Sequence, residues 1–181
     1  EAGQRLFGEN YVQEGVEKIQ MLQSLADIEW YFIGPIQSNK TRLVAENFDW
    51  VQAVDRLKIA KRLNDQTIPH KTLNVCIQVN IDDDKNKAGI GVNELHDFAK
   101  AINELPNLRL RGLMTIPKAN QSQTKQTASF NHMAALFENL KKQYSSVDTL
   151  SMGMSGDIQN AINNGSTMVR VGSAIFGLRN K

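Results

Sequence analysis

The chain has 181 residues, 41% of them hydrophobic and 22% charged, with a formal net charge of +2. That composition describes a soluble globular domain able to bury a sizeable core, and its near-neutral balance excludes a surface built for nucleic acid or an acidic membrane. A single cysteine, Cys76, and the lack of any apolar run of membrane length exclude a disulfide framework, a zinc cluster and a spanning helix, and fit a reducing cytoplasm.

In chain order, residues 4–8 make a short strand that runs out at Gly8, Glu9 and Asn10. Residues 11–25 carry an amphipathic helix, with Val12, Val16, Ile19, Leu22 and Leu25 on one stripe. Residues 28–34 are a strand, and Ser38 is placed to cap a helix over 39–46. A third strand spans 49–54, with Asp55 as the cap of a helix over 56–64. Residues 73–80 form a fourth strand that holds Cys76 as a buried thiol. The run Asp82, Asp83 and Asp84 then opens a solvated loop. Asn93 caps a helix over 94–105, which Pro106 stops. A fifth strand covers 108–116 and ends at Pro117. A long helix over 124–144 turns Phe130, Met133, Leu136, Phe137 and Leu140 inward.

The last stretch is the most informative. Leu150 and Met152 alternate with small residues, as a strand does. Ser155 opens a helical turn with Asp157 in its first turn, where a negative charge suits the helix dipole, and Gly165 closes it. Residues 168–171 are the seventh strand, followed by Gly172, Ser173 and a short helical turn over 174–177. Two strand ends thus feed small residues into helix N-termini, where free N–H groups can hold an anion. β/α barrels place phosphates at this point, in the loops after their last two strands. Arg170 ends the last strand beside that site, and its planar guanidinium suits a planar anionic ligand.

Strands alternating with helices imply right-handed crossovers, a parallel sheet and one domain over 1–181. A closed (β/α)8 barrel of the TIM type needs eight strands and typically about 250 residues. Seven strands are legible here. The simplest architecture is such a barrel without its first βα unit, so the domain is N-terminally incomplete. The chain also starts at Glu1 without a Met. An open doubly wound sheet is the alternative, but no Gly-x-Gly-x-x-Gly follows the first strand.

Among the strand ends, Glu9, Asp55 and Arg170 carry the only charges. His70, His96 and His132 fall away from that rim, so neither a metal site nor a Ser-His-Asp triad around Ser155 has support. Asn10 and Tyr11 suit either a helix cap or a cofactor contact. Met114, Met152 and Met154 suit barrel filling.

The segments Phe7-Gly8-Glu9-Asn10-Tyr11, Phe32-Ile33-Gly34-Pro35-Ile36-Gln37-Ser38-Asn39-Lys40, Gly112-Leu113-Met114-Thr115, Ser151-Met152-Gly153-Met154-Ser155 and Val169-Arg170-Val171-Gly172-Ser173-Ala174-Ile175-Phe176-Gly177 together resemble the pyridoxal phosphate homeostasis proteins. These in turn resemble the N-terminal barrel of alanine racemase, the third fold type of pyridoxal phosphate enzymes. The resemblance runs along nearly the whole chain. It implies a cytoplasmic, monomeric barrel that holds pyridoxal 5′-phosphate in its mouth and serves vitamin B6 and amino-acid homeostasis without established catalysis. It makes Ser155, Gly172 and Ser173 the phosphate-binding positions and Arg170 the partner of the pyridine nitrogen. Asn10, Met154 and Tyr31 are further cofactor contacts, Tyr31 standing where some relatives have a histidine. No catalytic residue and no metal ligand is implied.

In that family the aldimine lysine lies at the end of the first strand, in a short Ser-Lys-Thr-Lys-Pro type of motif. This sequence has no such motif. The expectation is a phosphate cradle without the covalent anchor, binding the cofactor weakly and without an imine. A racemase is the second reading, and a sugar-phosphate enzyme using Glu9 or Asp55 is the third. Neither nucleic acid nor membrane is expected as a partner.

Overall fold

The computed structural model describes residues 3–177. Strands and helices alternate along the chain: β1 (Leu6–Glu9), α1 (Val12–Met21), β2 (Glu29–Phe32), α2 (Thr41–Asn47), β3 (Trp50–Val54), α3 (Leu57–Gln66), β4 (Leu73–Gln78), α4 (Leu95–Asn103), β5 (Leu108–Met114), α5 (Gln123–Gln143), β6 (Thr149–Met154), α6 (Ile158–Asn163), β7 (Met168–Arg170) and α7 (Ser173–Phe176). All seven strands are parallel and pair in chain order, so β1 and β7 have one neighbour each.

The sheet curls. Ser151 on β6 donates its hydroxyl to Gln52 Oε1 on β3 at 2.7 Å, and Gln52 Nε2 lies 3.0 Å from Met168 Sδ on β7. In a flat sheet β3 and β6 would stand about 14 Å apart, and β3 and β7 about 19 Å. Side chains three and four strands apart meet only if the sheet wraps around them. The architecture is therefore the β/α barrel, with seven strands among the described residues, and not the doubly wound sheet.

Two apolar layers follow from the curl. The larger lies between sheet and helices and contains Phe32, Phe48, Ile59, Leu63, Phe130 and Met133. The smaller lies within the curl and contains Tyr31, Trp50, Ala53, Cys76 and Met114. Cys76 is fully buried, and burial pushes its thiol up to about 12.

Several helix ends differ from expectation. α1 stops at Met21, leaving Leu22 and Leu25 exposed. Ten residues of helix span about 15 Å, roughly the length of the short strands it crosses, so the chain turns there to start β2. Neither Ser38 nor Asp55 caps a helix with its side chain: α2 starts after Lys40 and α3 after Arg56. Asn93 lies in a 3-10 turn, Val92–Glu94, before α4, where Glu94 reaches back to the Gly91 N–H at 2.7 Å. Ser122 does cap α5.

Asp82 is no solvated loop residue. It accepts hydrogen bonds from Ser129 Oγ, the Lys118 N–H and Gln121 Nε2, strapping the loop after β4 to the loop after β5 and to α5.

Two glycines permit the closest strand approaches. Gly112 sits at φ +151°, where β5 bulges against β4, and an added Cβ would lie 1.8 Å from the Thr149 carbonyl oxygen. At Gly34 a Cβ would lie 2.1 Å from the Asn10 carbonyl oxygen, so the loops after β1 and β2 close on each other only through that residue.

Candidate functional site

The C-terminal ends of β5, β6 and β7 converge on Arg170. Its Nη1 donates to Ser151 Oγ at 2.6 Å and its Nη2 to the Thr115 carbonyl at 2.9 Å. Thr115 and Ser151 are fully buried. Burial lowers the guanidinium to about 10, against the opposing pull of Asp157. It remains a cation at neutral pH, and its hydrogen-bond acceptors among the described residues are all neutral.

The loops after β6 and β7 meet beside it. Ser155 follows β6, and its Oγ accepts the Ala174 N–H of α7 at 3.4 Å. Gly172 precedes α7 and Ser173 opens it, so these two N–H groups have no acceptor within the helix. An added Cβ at Gly156 or Gly172 would meet nothing within 4 Å. Among the described residues nothing fills the space at either glycine, as a cradle for an anionic group requires. Asp157, in the same loop, has its carboxylate engaged by the Met154 N–H at 2.6 Å and by Gln126 Nε2 at 3.2 Å.

Of the expected contacts, the structure gathers Ser155, Gly172, Ser173 and Arg170, with Met154 exposed at the end of β6. Asn10 lies just after β1, against Gly34. Tyr31 is placed elsewhere. Its hydroxyl donates to Glu29 at 2.8 Å and its ring stacks on Trp50 at 5.0 Å, towards the N-terminal mouth. Burial, then the Glu29 hydrogen bond and charge, push its phenol well up.

That opposite mouth holds a cleft of about 500 Å³ between Leu6 on β1 and Met168 on β7. Arg111 occupies it, ion-paired to Asp148, hydrogen-bonded to Asn74 at 3.0 Å and 4.4 Å above the Trp50 ring. A guanidinium used on three sides has little left for a ligand.

The rim carboxylates are also taken. Glu9 pairs with Lys18 of α1 at 2.6 Å, outside the sheet, and Asp55 pairs with Arg56 at 3.1 Å. Among the described residues no group of three or more His, Cys, Asp or Glu could hold a metal ion, and no helix is long and apolar enough to cross a membrane.

Sequence reasoning missed Gln52 and Ser151. Each is a polar residue at an inward strand position between apolar neighbours, a signal that only gains meaning once both are known to face one interior.

The family profile described as alanine racemase, N-terminal domain, matches residues 1–180. The pyridoxal phosphate homeostasis protein of Pasteurella multocida is 58% identical over 184 residues, covering 99% of this chain and 78% of its own. That of Escherichia coli K12 is 56% identical over 182 residues at the same coverage. Among solved structures, PipY of Synechococcus elongatus with PLP bound is 35% identical, with a TM-score of 0.88 over 97% of this chain and 83% of its own.

Proposed function

The chain belongs to the pyridoxal phosphate homeostasis proteins, and on that premise we propose that it holds pyridoxal 5′-phosphate in its C-terminal mouth and serves vitamin B6 and amino-acid homeostasis without turning a substrate over. The observation that carries the reading is Arg170: a largely buried cation whose hydrogen-bond partners among the described residues are neutral, beside two loops whose glycines leave open space. A planar ligand with a phosphate and a ring lone pair answers both features.

In this reading the phosphate lies against the N–H groups of Gly172 and Ser173 and the Ser155 hydroxyl. Arg170 donates to the pyridine nitrogen. Asn10 and Met154 border the mouth, and Tyr31 belongs to the N-terminal cluster instead. When bound, the cofactor supplies an electron-withdrawing ring. An arginine gives up no proton at neutral pH, so the ring nitrogen stays unprotonated and that withdrawal is muted. Glu9 and Asp55 are both in ion pairs and Asp157 is bonded by the Met154 N–H and Gln126, so each of these rim carboxylates among the described residues already has a partner. Both points favour a cofactor holder over a racemase or a sugar-phosphate enzyme. A monomer in the cytoplasm, with the cofactor as its small-molecule partner, completes the proposal.

Titration with pyridoxal phosphate, followed by tryptophan fluorescence, tests it. Saturable binding that inorganic phosphate competes away and that Arg170→Met weakens is expected. No binding, or binding indifferent to both phosphate and Arg170, would contradict it.

A further inference from the structure

Arg170, Ser151, Gln52 and Met168 form one oriented chain through the barrel interior. An arginine only donates, so Ser151 Oγ must accept from Arg170 at 2.6 Å. The single hydroxyl proton of Ser151 is then free to go only to Gln52 Oε1, at 2.7 Å. With its oxygen so engaged, the Gln52 amide turns its Nε2 to Met168 Sδ, at 3.0 Å. Every member is fixed in direction by the one before it. Ser151 is fully buried and Gln52 is 1% exposed, so both are shielded from bulk solvent.

The neutrality of this chain matters as much as its order. A carboxylate beside Arg170 would hold it firmly but would also spend its charge. Here two of its five N–H bonds are used, on a hydroxyl and a carbonyl, and the other three have no acceptor among the described residues. The guanidinium is held by geometry while its charge stays available.

We propose that Gln52 and Ser151 are positioning residues that aim the Arg170 guanidinium at the ring nitrogen of the bound cofactor. This rests on the reading that pyridoxal phosphate occupies the mouth. The alternative is that the two residues only fill the interior. A packing defect would loosen the site for any ligand of that shape. A positioning defect would cost only the contact to the ring nitrogen.

The test uses the full chain, its Ser151→Ala and Gln52→Met variants, and three probes: pyridoxal phosphate, its 1-deaza analogue with carbon in place of the ring nitrogen, and inorganic phosphate. In each variant pyridoxal phosphate is expected to bind about tenfold more weakly, the size of one lost hydrogen bond. The analogue and inorganic phosphate are expected to bind as they do to the unaltered chain. Gln52→Met nearly keeps the volume and carries the test if Ser151→Ala does not fold. Equal losses for pyridoxal phosphate and the analogue, or no loss for either, would overturn the proposal and leave the cofactor reading standing. Failure of the unaltered chain to bind pyridoxal phosphate would overturn both.

Discussion

The Ser155 hydroxyl accepts the Ala174 N–H at 3.4 Å, and through this contact the loop after β6 touches the first turn of α7. The bond is long and exposed, so it contributes little to folding. Ser155→Ala is therefore expected to leave stability within about 0.5 kcal/mol of the unaltered chain. Affinity for pyridoxal phosphate and for inorganic phosphate should fall together, by about threefold to tenfold. Parallel thermal melts and phosphate titrations check both halves.

Arg170→Lys keeps the charge and loses the fork. One ammonium cannot reach Ser151 Oγ, the Thr115 carbonyl and a ligand with the same geometry. Pyridoxal phosphate affinity should drop at least about tenfold. Stability should also fall, by about 1–3 kcal/mol, because two buried acceptors lose their donor. Fluorescence titration and urea unfolding measure the two effects separately.

Gly112→Ala should be the most damaging of the small substitutions. The new Cβ would stand 1.8 Å from the Thr149 carbonyl oxygen, in a backbone conformation at φ +151° that side chains rarely adopt. Neither strand can yield without breaking the β5–β6 ladder that starts at that pair. A loss of at least about 3 kcal/mol is expected in urea unfolding, or no folded protein at all.

Cys76 gives an alkaline prediction with a definite sign. Its thiol is raised from 9.0 to about 12 in the folded chain by burial. Between those values the unfolded chain has lost the proton and the folded chain has kept it. Stability therefore falls as pH rises from about 9, by about 1.4 kcal/mol per pH unit for this group. Tyr31, also raised by burial and by Glu29, adds a loss of the same sign above its ordinary value of 10.0. Cys76→Ala should flatten the slope between pH 9 and 10 in urea unfolding.

The order of elements was legible in the sequence because each helix and strand carries its own period. The loops after β6 and β7 were legible for the same reason: Ser155, Gly172 and Ser173 follow strand patterns directly. Helix starts were less so, since Ser38 and Asp55 look like caps but their side chains do not bond the helix N–H groups. The direction of Tyr31 was not legible, because a strand position does not say which mouth of a barrel its side chain leans towards. Its pull towards Glu29 and Trp50 is a tertiary matter. Gln52 and Ser151 are 99 residues apart, and their pairing exists only once the sheet has curled.

The C-terminal mouth, and not the Arg111 cleft, is expected to receive the cofactor. Diffraction from crystals of this chain soaked in pyridoxal phosphate tests it most directly. The phosphate is expected against Ser155, Gly172 and Ser173, with the ring nitrogen facing Arg170. Cofactor density confined to the N-terminal cleft beside Arg111 and Asp148, with the Ser155 loops bare, would contradict it.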